Sequence, residues 1–198
     1  MLETGQAAWA GLGWAVLLAL VGCGDPEVKS QAGQPQGECN AIETSFENGS
    51  AGHLPNCSET DYPMSPPVFG DHYQSWAAFQ TYDFPVPLGF LVHALEHGAV
   101  VFFYDCPDGC ADEVSEVSDF IAALPSDPIC AAHGVERRAI LVPRPGLGAR
   151  WAAAAWGFSL TADCFDAELF SAFYDQHVGR GPESLCHPGL ALTSDPCL

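Results

Sequence analysis

Cysteine content is the feature that most constrains how this chain can fold. The 198 residues include nine cysteines, and the first, Cys23, directly follows an apolar N-terminal run. The other eight form an even set, which favours disulfide bonds in an exported protein. Eight cysteines allow about 105 pairings, and the sequence leaves the choice among them open. Proximity along the chain favours the pairs Cys39–Cys57, Cys106–Cys110, Cys130–Cys164 and Cys186–Cys197.

The N-terminus predicts export and a lipid anchor. Residues 7–21 are almost all small or apolar, a run shorter than the ~20 residues that span a bilayer but typical of a signal peptide. It ends in Leu20-Val21-Gly22-Cys23, which resembles a bacterial lipobox. We therefore expect a signal peptide over residues 1–22 and a lipid on Cys23, placing the protein at the bacterial cell envelope and facing the periplasm or the exterior. An ordinary secretory signal cut nearby is the alternative.

The charge balance excludes several partners. Six Lys and Arg residues face 25 Asp and Glu residues, which gives a formal net charge of −19. Such a surface repels phosphate, so we expect no nucleic-acid partner and no attachment to anionic lipid through charge. Lys29 is the only lysine, and no phosphate-binding P-loop string is present.

Composition divides the mature chain into a tether and one domain. Residues 23–37 are polar and rich in Gly, Pro and Gln, which predicts a flexible tether. Residues 38–198 then form a single domain with its core at about residues 63–183 and a loop-rich entry over residues 38–89, where prolines forbid long regular elements.

Hydrophobic periodicity predicts the elements of that domain. The dense apolar run of residues 90–104 predicts a buried strand, and helical spacing predicts helices over residues 111–124 and 166–178. Further strands are expected over residues 138–142 and 151–160, and a short helix over residues 73–79. The order predicts an α+β domain, a small β-α-β-β-α sheet with helices packed on it, of which a thioredoxin-like arrangement is one variant.

The most informative polar residues lie inside the longest apolar run. Residues 93–98 read His-Ala-Leu-Glu-His-Gly, which formally matches the H-x-x-E-H motif of inverted zincins. That motif needs a continuing helix, whereas the flanks of this string indicate strands and Gly98 ends any helix at once. We therefore do not expect a zincin-type peptidase.

A metal site is the preferred explanation of these residues. On a flat strand His93 and His97 would lie ~13 Å apart, so a turn or bulge between them is needed to bring both to one ion. His72 supplies a third imidazole, Glu96 a carboxylate and Met64 a soft sulfur, a set that suits copper or zinc. Copper is slightly favoured, because the protein is exported and Met64 is near. The alternative is that the histidines only pack and form hydrogen bonds.

A second constellation is the string of residues 106–110, Cys-Pro-Asp-Gly-Cys, between a predicted strand and a predicted helix. Thioredoxin-like proteins place reactive cysteines at such a junction, where the helix N-terminus stabilises a thiolate. The string also looks like that of Sco-type copper chaperones, with His133 or His177 as the distant histidine. A structural disulfide is the favoured alternative.

Several strings together resemble the bacterial domain-of-unknown-function 3105 family. They are residues 66–73 (PPVFGDHY), 91–101 (LVHALEHGAVV), 155–157 (AWG) and 181–183 (GPE). The resemblance implies an exported or membrane-anchored bacterial protein without a settled activity. The residues themselves favour a metal-binding lipoprotein, with a thiol redox protein and a purely structural or interaction lipoprotein as the alternatives.

Overall fold

The computed structural model describes residues 28–47, 49 and 51–197. The predicted signal peptide and Cys23 lie outside the described residues. Within the described part of the chain, no helix is long and apolar enough to cross a membrane.

The described chain folds into an α+β domain, as predicted, with three α-helices around a six-stranded sheet. The strands are β1 (Ser30–Ala32), β2 (Ile42–Phe46), β3 (His53–Leu54), β4 (His72–Tyr73), β5 (Val100–Tyr104), β6 (Ala139–Pro143), β7 (Trp151–Ala155) and β8 (Phe158–Ala162). The helices are α1 (Leu88–Glu96), α2 (Ala111–Ala123) and α3 (Ala167–His177), with one 3-10 turn at Ala131–His133.

The large sheet has the order β1-β2-β8-β7-β5-β6. Helix α2 connects β5 to its parallel neighbour β6, and the other neighbouring strands pair antiparallel. A separate pair joins β3 and β4 in parallel. Within residues 100–177 the predicted order is present with one additional strand, because residues 151–160 are not one strand, and β1 to β4 and α1 precede this part. Trp156 and Gly157 turn the chain between β7 and β8, and Gly157 adopts φ 80°, which glycine allows at no steric cost.

Both faces of the sheet are covered, and the strand period of two assigns side chains to them. On β5, Val101 and Phe103 belong to the apolar cluster that contains α1, whereas Val100 and Phe102 belong to the cluster that contains α2 and α3. Strands buried on both faces lose the alternation of apolar and polar residues, which explains the continuous apolar runs in the sequence.

The prediction of one strand over residues 90–104 is wrong in its first half. Residues 88–96 form α1, and the strand β5 begins only at Val100. Eight of the nine residues of α1 are buried, so the helix has no polar stripe to reveal its period. Gly98, with φ +83°, reverses the chain between helix and strand.

Other boundaries were predicted with mixed success. Helices α2 and α3 and strand β6 lie within about two residues of their predicted bounds, and Asp166 caps α3 by accepting hydrogen bonds from Glu168 N and Leu169 N. The short helix over residues 73–79 is wrong, because Tyr73 ends β4 and Ala77 forms an isolated bridge with Leu190. The tether prediction fails over residues 30–32, which form the edge strand β1 with all three side chains exposed.

All eight cysteines of the described residues form disulfides. The pairs are Cys39–Cys164, Cys57–Cys197, Cys106–Cys110 and Cys130–Cys186. Only Cys106–Cys110 matches the pairing expected from proximity along the chain. The other three bonds join segments 56 to 140 residues apart that the fold brings together; Cys39 and Cys164, for example, flank the paired strands β2 and β8.

Candidate metal centre

The last turn of α1 places three polar side chains within one helical turn. His93, Glu96 and His97 stand at positions i, i+3 and i+4, which share one helix face. The prediction of a turn or bulge is therefore wrong. The helix nevertheless brings the two rings together, with His93 Nε2 and His97 Nε2 2.7 Å apart. The helix ends at Glu96, so the H-x-x-E-H string lacks the continuing helix of a zincin.

The strand pair β3–β4 brings two further imidazoles to this helix. His72 on β4 pairs in register with His53 on β3. The Asp71 carboxylate accepts a hydrogen bond from Gly52 N at 2.8 Å, which fixes the residue next to His53. Sequence reasoning found His72 but missed His53, because His53 lies in a polar, loop-like segment. Its only signal is the pairing with His72, which the sequence does not reveal.

Three of the imidazoles and the Glu96 carboxylate converge on one point. The ring centroids of His53, His72 and His93 lie 4.7–4.8 Å from one another. Their Nε2 atoms lie 3.5, 3.0 and 3.9 Å from Glu96 Oε2, in that order. One potential ligand atom from each of the four residues lies within 4.8 Å of the others, so shifts of a few tenths of an ångström bring all four within reach of metal–ligand bonds of ~2.0–2.2 Å.

Backbone carbonyls fix which ring nitrogen faces the centre. His72 Nδ1 lies 2.9 Å from Gly70 O, and His93 Nδ1 lies 2.6 Å from Tyr73 O. A carbonyl oxygen can only accept, so each Nδ1 carries a proton and the Nε2 of each ring is turned toward Glu96. The inward Nε2 atoms have close polar neighbours, since His72 Nε2 lies 3.0 Å from Glu96 Oε2 and His93 Nε2 lies 2.7 Å from His97 Nε2. The arrangement could hold a cation between the Nε2 atoms and the carboxylate, and histidines that bind metals commonly donate their other N–H to a carbonyl in this way.

Three of the four converging residues are buried, which makes the loss of hydration of their polar groups costly. His72, His93 and Glu96 are 0%, 3% and 8% exposed, whereas the His53 side chain is 44% exposed. Loss of hydration, followed by the neighbouring His97 and His72, lowers the pKa of His93 to about 3. His93 is therefore neutral at physiological pH and available as a ligand. Half-exposed His53 gives the centre one side open to solvent.

His97 lies beside this group rather than within it. Its ring stacks on Trp76 with centroids 4.2 Å apart, and its Nε2 lies 4.0 Å from the Glu183 carboxylate. His97, Glu183 and Glu96 form a second set of potential ligands within 4.8 Å. Burial lowers the pKa of His97 to about 4, so this ring is also neutral.

Met64 lies away from the four residues that converge. It packs on the edge of the apolar core and lines a surface cavity together with Leu88 and Arg144, near the start of α1. The histidines lie at the other end of that helix. The argument that favoured copper because of Met64 thus loses its basis.

The disulfide Cys106–Cys110 lies at the other end of β5 from the histidines. It follows the C-terminal end of that strand and precedes α2. His177 lies near the N-terminal end of β5. Two residues after His177, Gly179 N donates to Gly98 O, and Gly98 directly precedes this strand. The His177 Nε2 lies 3.0 Å from Glu43 Oε1, and its ring stacks on Phe158, so this histidine already has partners.

His133, the other candidate partner of these cysteines, is also remote from them. It lies on the 3-10 turn and donates through its backbone N–H to Cys130 O. Cys130 N donates to the Asp127 carboxylate, which also accepts from Arg138 Nε. The carbonyl of Arg138 accepts from Val100 N at the start of β5, so His133 lies at the end of that strand opposite the cysteines. Neither His133 nor His177 therefore joins the cysteines in a copper-chaperone site.

Comparison with known families gives one match. The model of the family described as "protein of unknown function (DUF3105)" matches residues 53–188, more than two thirds of the chain. The chain belongs to this family. The resemblance expected from the sequence is thereby confirmed, and the matched region contains all the residues of the two ligand sets, from His53 to Glu183. No curated protein and no solved structure matches the chain.

Proposed function

We propose that this protein binds a divalent transition-metal ion through His53, His72, His93 and Glu96. The observation that carries the proposal is the convergence of three imidazole Nε2 atoms on one carboxylate oxygen, with the outer nitrogens of His72 and His93 held by backbone carbonyls. Three imidazoles and a carboxylate form a borderline-hard donor set, which suits zinc or cupric copper. No sulfur joins the set, so cuprous copper is disfavoured.

The structure of the domain argues against a purely structural role for the ion. Four disulfides already connect the segments around the core, whereas structural zinc typically supplies folding energy to domains that lack such support. One ligand, His53, is open to solvent, which allows an ion to enter and leave. A formal charge of −19 raises the local concentration of cations. We therefore propose capture and exchange of metal at the cell envelope.

Metal analysis of alanine variants tests the proposal. Purified protein is stripped with a chelator, loaded with Zn²⁺ or Cu²⁺ and dialysed, and the bound metal is measured by mass spectrometry. Alanine at His53 or His72 should weaken binding by at least about 100-fold, since each removes one of four ligands. His133→Ala is the matched control, because His133 is an exposed histidine outside both ligand sets. Wild-type protein that binds no more metal than His72→Ala would refute the proposal.

The envelope location rests on the N-terminal sequence. The lipobox-like Leu20-Val21-Gly22-Cys23 motivates lipidation of Cys23. In the full chain expressed in a bacterium, Cys23→Ser should move the protein from the membrane fraction to the soluble fraction. Retention of the variant in the membrane fraction would show that another feature anchors it.

A thiol redox role is the second candidate. Cys106 and Cys110 lie at the junction of β5 and α2, within a parallel strand–helix–strand unit, and both are half-buried rather than enclosed. In this role, a dithiol of a partner would be oxidised to its disulfide as Cys106–Cys110 is reduced to two thiols. Titration with dithiothreitol would decide, since a structural disulfide should resist reduction at potentials where a redox-active one opens.

A further inference from the structure

We propose that the centre takes two divalent ions, with the second held by His97, Glu183 and the remaining oxygen of Glu96. This inference rests on the proposed function, because it starts from an ion at the first position. It concerns residues that the first ion leaves without partners.

The hydrogen bonds of His97 are incomplete in the described structure. The residue is 1% exposed, and its Nδ1 has no hydrogen-bond partner. Its Nε2 faces His93 Nε2 at 2.7 Å, so one of these two nitrogens must donate. Because His93 keeps its proton on Nδ1 for Tyr73 O, the donor has to be His97 Nε2, which leaves His97 Nδ1 as a buried, unpartnered acceptor.

An ion at the first position worsens this shortage. It takes the lone pair of His93 Nε2, and the N–H of His97 then loses its only acceptor. Both ring nitrogens of a buried imidazole would remain unsatisfied, which is costly away from water. A second cation on His97 Nε2 removes the need for a donor there, and the ring proton is then carried by Nδ1.

The carboxylates that would complete this position are already in place. Glu183 Oε2 lies 4.0 Å from His97 Nε2, a separation that one ion with bonds of ~2.1 Å can span. The contacts of Glu96 with His53, His72 and His93 all use Oε2. Its second oxygen is left to bridge to a neighbouring ion, as in two-metal sites whose ions lie ~3.5–4 Å apart.

The backbone that carries Glu183 is fixed against the end of α1. We call residues 179–188 the C-terminal strap. Glu183 N donates to Glu96 O at 3.0 Å, and Gly179 N donates to Gly98 O at 2.8 Å. Gly181 packs so closely that a Cβ there would overlap the Glu96 carbonyl oxygen.

Two longer-range contacts complete the support of the strap. Arg138 Nη1 donates both to His97 O and to Ser184 Oγ, at 3.0 Å each, and the disulfide Cys130–Cys186 ties the strap to the domain. The fold therefore holds the backbone of Glu183 next to His97, and the Glu183 side chain, 52% exposed, extends from that backbone.

Zinc stoichiometry separates this inference from the proposed function. Calorimetric titration of the metal-free protein with Zn²⁺ should give two ions per chain in the wild type. The variants Glu183→Gln and His97→Gln should each give one. Glu168→Gln removes an exposed carboxylate on α3 and should still give two, which controls for loss of surface charge.

A magnetic measurement tests whether the two ions share a ligand. With two equivalents of Cu²⁺, adjacent ions joined through Glu96 should couple, so the spin intensity per copper should fall well below that with one equivalent. One zinc ion in the wild type, unchanged by Glu183→Gln and His97→Gln, would overturn the inference and leave the proposed function intact. No zinc ion in the wild type would overturn both. Full spin intensity at two equivalents would overturn the shared centre.

Discussion

At the residue scale, the centre depends on which nitrogen of each histidine carries the proton. Gly70 O and Tyr73 O accept from the outer nitrogens of His72 and His93, so the Nε2 atoms of both rings are turned toward the centre without an ion. Such preorganisation reduces the cost of ordering ligands when the metal binds. It also explains why polar residues occupy positions in α1 that an ordinary core would fill with Leu or Val.

The metal-free protein should lose stability in mild acid. The pKa values of His93 and His97 are lowered to about 3 and about 4 in the fold, whereas the unfolded chain takes up these protons near pH 6.5. Between pH 6.5 and about 4 the unfolded state therefore binds more protons, and the free energy of unfolding falls as the pH falls. Urea unfolding in the presence of a chelator measures this dependence.

The variant His97→Gln provides the comparison for that pH dependence. It removes one of the two groups, so its free energy of unfolding should decline less steeply over the same pH range. Equal slopes for wild type and variant would show that His97 is protonated alike in both states and contradict its neutral burial.

Sequence reasoning at this scale found His72, His93, Glu96 and His97 because ionisable groups inside an apolar run are expensive to bury without partners. It missed His53, whose polar neighbourhood carries no such cost. It also proposed Met64, which the fold places near the start of α1. A candidate ligand can thus be recognised from the sequence when it lies in an apolar run that indicates burial, and not when it lies in a polar segment.

At the scale of elements, a helix buried on nearly every side produced the main error. Helix α1 has no amphipathic stripe, so its apolar run could not be told from a buried strand by periodicity. Helices α2 and α3, which keep an exposed face, were predicted within a residue or two. The edge strand β1 escaped prediction for the opposite reason, since its exposed residues carry no apolar signal.

The C-terminal strap should be sensitive to a single methyl group. In Gly181→Ala the new Cβ would overlap backbone atoms, among them Glu96 O and Gly98 N, which cannot move without disturbing the end of α1. We expect a loss of about 1–3 kcal/mol in the free energy of unfolding and weaker binding of the second zinc ion. Urea unfolding and zinc titration measure the two effects. Wild-type stability in this variant would show that the strap does not contact α1 in solution.

At the scale of the whole molecule, the disulfides connect distant parts of the chain. The bond Cys57–Cys197 closes a separation of 140 residues, whereas Cys106–Cys110 closes a separation of four. No rule of proximity in sequence could predict the longer pairings, because strand pairing and helix packing decide which segments meet. The fold class, in contrast, could be predicted, because the apolar periodicity indicates most of the helices and strands of the core and their order along the chain.

The two extreme disulfides should differ in their effect on stability. On loop-closure entropy, replacing Cys57 and Cys197 by Ala should cost about 5 kcal/mol, and replacing Cys106 and Cys110 about 2 kcal/mol. Guanidinium unfolding of the two double variants measures both losses. An equal or reversed order would mean that strain or residual structure in the unfolded chain, rather than loop closure, dominates.

X-ray absorption at the zinc edge, on wild-type protein loaded with one equivalent of Zn²⁺, tests the central claim most directly. The structure predicts a shell of nitrogen and oxygen at about 2.0–2.2 Å, with the outer-ring scattering of three imidazoles. His72→Ala should lose one imidazole contribution from that spectrum. A shell that contains sulfur, or one of oxygen alone without imidazole scattering, would contradict the proposed site.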